Sequence, residues 1–178
     1  PENPQSSTAQ LTEKVVALLH FGRSGTGLLH SLVDNHPEVS TLPSIYLSGY
    51  FNKGVWDRLS IDGWKGLPRN FTSEFAVLLD ARNPKTVPSR FGEDHSKIGA
   101  KEGMTTLGKY RNEYLSVDAE NFCKAAINIM KGMDSIDPLS FLLVTHAAFE
   151  EVTKQNEKQV ANKHLCFYHI HNPDHYAQ

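Results

Sequence analysis

The stretch Val15 to Asn35, VVALLHFGRSGTGLLHSLVDN, limits what this chain can fold into more than any other. Val15 to Leu19 is a short, continuously apolar run containing β-branched residues, the pattern of a strand covered on both faces. Gly22, Gly25 and Gly27 then punctuate GRSGTG, where the backbone can turn without Cβ clashes. Leu28, Leu29, Leu32 and Val33 follow at helical spacing and share one face. Strand, tight loop and helix is the expected order. The first N–H groups of such a helix have no carbonyl partner and point at the loop, which makes it an anion cradle, most often for a phosphate.

A plain connection between two elements can use the same glycines, so the neighbouring residues carry the distinction. A nucleoside-triphosphate loop needs a lysine after its last glycine, and here Gly25 is followed by Thr26 and Gly27. A dinucleotide loop needs G-x-G-x-x-G and an acid about 20 residues later. The order here is G-x-x-G-x-G, and Ser40 to Tyr50, STLPSIYLSGY, holds no acid.

Phe21 to Val39, FGRSGTGLLHSLVDNHPEV, resembles the 5′-phosphosulfate loop of the sulfotransferases. The matching residues are Gly22, Arg23, Ser24, Gly25, Thr26 and Leu28 or Leu29, then His36, Pro37 and Val39 after the helix. Gly27 is the departure, since the family carries a second hydroxyl residue there. The resemblance implies that Gly22, Arg23, Ser24, Gly25, Thr26, Gly27 and Leu28 bind 3′-phosphoadenosine 5′-phosphosulfate (PAPS) as co-substrate, with Arg23 against the phosphosulfate. It also implies that the segment after the first helix approaches the acceptor, which makes Tyr46, Tyr50 and Phe51 candidate substrate-binding residues.

At 178 residues the chain suits one domain with a real core. Its 18 basic and 20 acidic residues leave a formal net charge of -2, without the strongly basic balance of a nucleic-acid binder. No apolar run approaches the roughly 20 residues of a membrane-spanning helix. Cys123 and Cys166 are far apart in apolar segments and read as buried thiols. The chain starts at Pro1 without a methionine, which processing, an engineered start or a larger parent protein would each explain.

Residues 1–10 read as a flexible lead-in and 11–178 as one α/β unit. Asn35 and His36-Pro37 stop the first helix. Residues 40–69, rich in aromatics, glycine and proline, read as loops and short helices around a partly apolar groove, and Ser73 to Leu79 as helical. Asn83 to Gly92 is expected as a loop, and Asp94 to Gly103, with His95, Lys97, Lys101 and Glu102, as a solvated surface. Three further helices are expected: Thr105 to Leu115, with Leu107, Tyr110 and Tyr114 on one face; a helix capped by Asp118 and running to about Lys131; and one opened by Asp137-Pro138 and running to about Lys154. His146 in the last of these reads as a packed or solvated histidine. Leu165 to Ile170 is the second convincing strand, and Asn172-Pro173-Asp174 announces another helix.

Strands alternating with helices predict a P-loop-type parallel sheet flanked by helices, with a helical insertion and further strands needed to complete the domain. The resemblance covers the N-terminal half of a sulfotransferase domain; its R-[DE]-P motif for the 3′-phosphate does not occur in this sequence. Sulfuryl transfer needs a base for the acceptor proton and positive charge at the transferring group. His169 and His171, two apart at the second strand end, supply imidazoles for this. His171-Asn172-Pro173 aligns loosely with the family's K-[TD]-P, so His171 leads as catalytic residue, with Arg23, His169 and then Glu102 behind it. His164, His169, His171 and His175 have spacings found among zinc ligands, but no cysteine or acidic pair completes a set, and no metal is expected. The implied partner is an acceptor hydroxyl or amine of unknown type, with no nucleic acid and no membrane span. A kinase-like or NAD(P)-dependent enzyme, or a non-catalytic binding module that keeps the fold, remain the alternatives.

Overall fold

The computed structural model describes residues 11–12, 14–21, 24–34, 36–43, 50–81, 106–153 and 163–171. The lead-in, the loop at 83–92, the charged segment at 94–103 and the helix after Asn172 lie outside the described residues. Along the chain run β1 (Lys14–His20), α1 (Thr26–Val33), β2 (Val39–Thr41), α2 (Lys53–Leu59), α3 (Leu67–Glu74), a 3-10 turn (Ala76–Leu78), α4 (Ala119–Met130), α5 (Pro138–Thr153) and β3 (Leu165–His171). This is an α/β chain with a three-stranded parallel sheet in the order β1-β3-β2. Among the described residues, no helix is long and apolar enough to cross a membrane.

The last strand is the central one. β3 pairs with β1 over its whole length, from Lys14 opposite Leu165 to His20 opposite His171, and with β2 from Val39 opposite Leu165 to Thr41 opposite Phe167. Its start is fixed by the turn after α1. The Glu38 carbonyl accepts from the His164 and Leu165 N–H groups at 2.9 and 3.2 Å, and Lys163 donates to the His36 and Val39 carbonyls at 2.7 and 2.8 Å. The strand Val39–Thr41 was not expected from sequence. Three residues ahead of Leu42-Pro43 are too few to show a period, and pairing with β3 is what makes them a strand.

β1 corrects the expectation of a strand covered on both faces. Among the described residues it is a sheet edge, and Val16 and Leu19 remain 42 % and 59 % exposed. The leucine face of α1 is likewise outward, with Leu28 and Leu32 at 70 % and 72 %, while His30 is the buried residue of that helix. The helical spacing holds, but a different face meets the sheet.

The core lies in the helical layer. Leu59, Leu67, Phe71, Leu78, Phe122, Ala126, Met130, Phe141 and Leu142 form one buried cluster. Phe71 stands at its centre, with ring centroids 6.2 Å from Phe122 and 5.7 Å from Phe141, near-parallel to the first and edge-on to the second. These are favoured aromatic geometries and add to the area buried.

The caps expected at Asp118 and Asp137 are present. Asp118 accepts from the Glu120 and Asn121 N–H groups at 2.8 and 3.0 Å and starts α4, whose buried stripe is Phe122, Ala125, Ala126, Ile129 and Met130. Asp137 accepts from the Ser140 N–H at 2.7 Å, while its own N–H donates to the Ser140 hydroxyl at 2.8 Å, a reciprocal cap for α5. Asp80 and Ser116 form an antiparallel bridge that ties the 3-10 turn to the approach to α4. Ser73 to Leu79 is only partly helical, because α3 starts earlier, at Leu67, and ends at Glu74.

The helix expected at 105–115 is not formed in the described part. Leu107 and Glu113 instead bridge in antiparallel fashion around a turn, with Gly108 at φ 76° and Arg111 at φ 53°. Leu107, Tyr110 and Tyr114 are exposed, so no buried face rewards a helix, and Gly108 supplies a left-handed turn position at little cost. Both cysteines are free thiols, Cys166 buried and Cys123 half-buried. Burial, reinforced by Glu150, pushes the Cys166 thiol up to about 12.

Candidate functional site

Parallel pairing of β1 with β3 sets their two strand ends side by side, with Leu18 opposite His169 and His20 opposite His171. The glycine loop leaves from this edge. Gly22 and Arg23, both expected to bind the co-substrate, lie outside the described residues. Ser24 turns its hydroxyl back to the Phe21 carbonyl at 2.7 Å, and Gly25 sits at φ 77°, ψ 11° as the N-cap of α1. That left-handed geometry costs an L-residue roughly 1–2 kcal/mol, so the backbone angle, not crowding, calls for glycine: a Cβ there would meet nothing within 4 Å. The Gly25 carbonyl accepts from the Leu28 and Leu29 N–H groups at 3.1 and 3.3 Å. The N–H groups of Thr26 and Gly27 belong to the first helical turn, which has no carbonyl partners of its own. Gly27 also has open space around a would-be Cβ and no positive φ, so packing does not forbid the family's hydroxyl residue there. Leu28 is exposed.

Behind this loop three histidines converge from three elements. His20, at the end of β1, is buried and places Nδ1 3.1 Å from Thr26 Oγ1 and 3.4 Å from the Phe21 carbonyl. His30, the buried residue of α1, hydrogen-bonds through Nδ1 to Nε2 of His169, their ring centroids 4.6 Å apart. His169 in turn stands edge-on to His20 at 5.4 Å. Burial first, then the neighbouring His30 and His20, lowers the His169 pKa to about 4, so its imidazole is neutral near pH 7. A fourth, His146 of α5, is buried with Nδ1 3.0 Å from Ser40 Oγ; burial and then His30 lower its pKa to about 3. His146 is thus a packed histidine, as expected.

The loop residues from Ser24 to Leu28 and His169 are therefore brought to one end of the sheet. The backbone of His171 ends β3 opposite His20, and its side chain lies outside the described residues, as do Tyr46, Glu102 and His175. Tyr50 is fully buried and donates its hydroxyl to the Pro138 carbonyl at 2.8 Å. Phe51 packs edge-on to it and against Tyr168 at 5.8 Å. Successive strand residues face opposite ways, so Tyr168, and Phe51 with it, lie across β3 from the His169 cluster. Both residues have packing roles in this arrangement. Among the described residues, no group of three or more His, Cys, Asp or Glu side chains is arranged to hold a metal ion.

Sequence reasoning missed His20 and His30. His20 directly ends the apolar run, and His30 falls four residues after Thr26, one helical turn behind the loop. Those positions were available as signals, but each is an isolated histidine until the sheet joins them to His169.

Comparison of the chain with protein-family models, with curated proteins and with solved structures finds no match in any of the three.

Proposed function

We propose that this chain is a sulfotransferase that moves a sulfuryl group from PAPS to an acceptor hydroxyl or amine. The observation that carries the reading is the GRSGTG loop followed by a helix and His36-Pro37, with Gly25 as a left-handed N-cap. The finer fold reading, a P-loop-type sheet that continues past β1, belongs to the same proposal. It is supported by the parallel order and by the apolar residues exposed on β1 and α1.

In this reading the acceptor oxygen or nitrogen attacks sulfur, the bond from sulfur to the bridging phosphate oxygen breaks, and adenosine 3′,5′-bisphosphate leaves. The acceptor proton passes to a base, and cationic groups stabilise the phosphosulfate oxygens. Arg23 is the assigned cation. His169 stays neutral near pH 7, so it does not supply the positive charge there. His171, opposite His20 at the same strand end, keeps its place as the first candidate for contact with the transferring group.

Calorimetric titration of the whole chain with adenosine 3′,5′-bisphosphate, ATP and NADPH tests the reading. The bisphosphate is expected to bind most tightly. Arg23→Ala removes a charge-assisted contact of about 1.5–3 kcal/mol, so binding weakens roughly ten- to a hundredfold. Equal or better binding of ATP or NADPH, or an Arg23→Ala variant with unchanged affinity, rejects it.

A further inference from the structure

Asn70-Phe71-Thr72 is the one Asn-x-Ser/Thr sequence in the chain, the acceptor motif for N-linked oligosaccharide. Such acceptors ordinarily lie in surface loops, whereas these three residues sit inside α3, and each of them is engaged. Asn70 Nδ2 donates to the Leu59 carbonyl at 2.9 Å and to Asp62 Oδ2 at 3.1 Å. A carbonyl and a carboxylate only accept, so both hydrogens of the amide nitrogen are used. Leu59 ends α2, and its carbonyl is one of those a helix leaves without a partner of its own. Asn70 thereby clamps the end of α2 and the turn after it to α3. Phe71 is fully buried at the centre of the aromatic cluster, and the Thr72 hydroxyl donates to the Arg69 carbonyl at 2.9 Å.

The turn inside the clamp is tightly wound. Gly63 sits at φ 68°, the Gly63 and Gly66 N–H groups donate to the Ser60 and Gly63 carbonyls at 2.8 and 3.0 Å, and a Cβ at Gly66 would overlap Asp62. Glycosylation forms a bond from Nδ2 to the sugar's C1 and breaks the bond from C1 to oxygen of the lipid diphosphate that carries the oligosaccharide. The diphosphate leaves with the electron pair, and one amide proton goes to solvent. In the folded chain both N–H directions of this planar amide end on an acceptor, which leaves no direction for C1. Swinging Asn70 outward would strip the Leu59 carbonyl of its partner, and presenting the motif to an enzyme would draw Phe71 out of the core.

We infer that Asn70 is a modification site controlled by folding: the chain accepts an N-linked oligosaccharide only while α3 is unseated, and a chain that carries one cannot close the clamp between α2 and α3. This holds whether or not the glycine loop binds PAPS.

The test presents the purified whole chain to an oligosaccharyltransferase and a lipid-diphosphate-linked oligosaccharide, with intact mass as the readout. Phe122→Ala, Phe141→Ala and their combination loosen the rings around Phe71 and leave the motif untouched. The modification rate is expected to follow the unfolded fraction of each protein, measured by circular dichroism. The folded parent should react on the order of a thousandfold more slowly than a fully unfolded variant. Adding Thr72→Val to the double variant removes the motif, keeps Asn70 and should abolish the mass gain. When the unaltered chain is made behind a secretion signal in glycosylating cells, molecules with the sugar should lack the cooperative unfolding transition of those without it. Rates that do not follow the unfolded fraction, no modification of any variant, a mass gain that survives Thr72→Val, or a glycosylated chain with the parent's unfolding midpoint each overturn the inference.

Discussion

Burial leaves His146 with one polar contact, the Ser40 hydroxyl, and with Nε2 unpartnered among the described residues. It stays neutral there, as His169 does, because the charged imidazole would lose its hydration. The sign of the pH effect follows. Both pKa values lie below the ordinary histidine value, at about 3 and about 4, so between those values and about 6.5 the unfolded chain binds protons that the folded one refuses. Stability is therefore complete above about pH 6.5 and falls as the pH drops toward 4. Urea unfolding measured from pH 7.5 to 4.5 should show a declining midpoint, and His146→Asn should show a shallower decline. A midpoint that stays constant across this range contradicts the assignment. The same residue scale explains what the sequence hid. A lone histidine in an amphipathic helix looks alike whether it is solvated or packed, and Ser40 lies 106 positions away.

At the scale of elements, termini were the most legible feature. Asp118 and Asp137-Pro138 announced α4 and α5 because a cap acts within about one turn of its own residue. The Ser140 N–H and then its hydroxyl hold the Asp137 carboxyl below the usual carboxylate range. That contribution is present above pH 4 and is lost as the carboxylate protonates at lower pH. Asp137→Ala should destabilise the protein by about 1 kcal/mol near neutral pH, read from a chemical denaturation midpoint, and the difference from the parent should shrink in acid. The segment at 106–115 shows the limit of the same reasoning. Leu107, Tyr110 and Tyr114 do recur at helical spacing, but no surface receives them, and spacing without burial does not make a helix.

Across the whole molecule, stability comes from the helical layer. Phe71 is fully buried amid rings from Tyr50, Phe75, Phe122 and Phe141, contributed by several segments of the chain. Phe71→Ala should therefore cost about 3–5 kcal/mol in thermal or denaturant unfolding, far more than truncating exposed Tyr110. A loss under about 1 kcal/mol would mean that this cluster is not the centre of the core. By itself, the sequence determined the strand, glycine turn and helix at the N-terminal end, the starts of α4 and α5, and the apolar strand before His171. All of these depend on residues within a few positions of one another. Only the tertiary structure decided that β3 enters between β1 and β2, that α1 turns His30 rather than its leucines to the sheet, and that Tyr50 closes the core. It also decided that Thr26 is backed by histidines, since His20 reaches its hydroxyl and His30 and His169 meet across 139 positions of chain. No local pattern carries a contact of that reach; sheet pairing creates it.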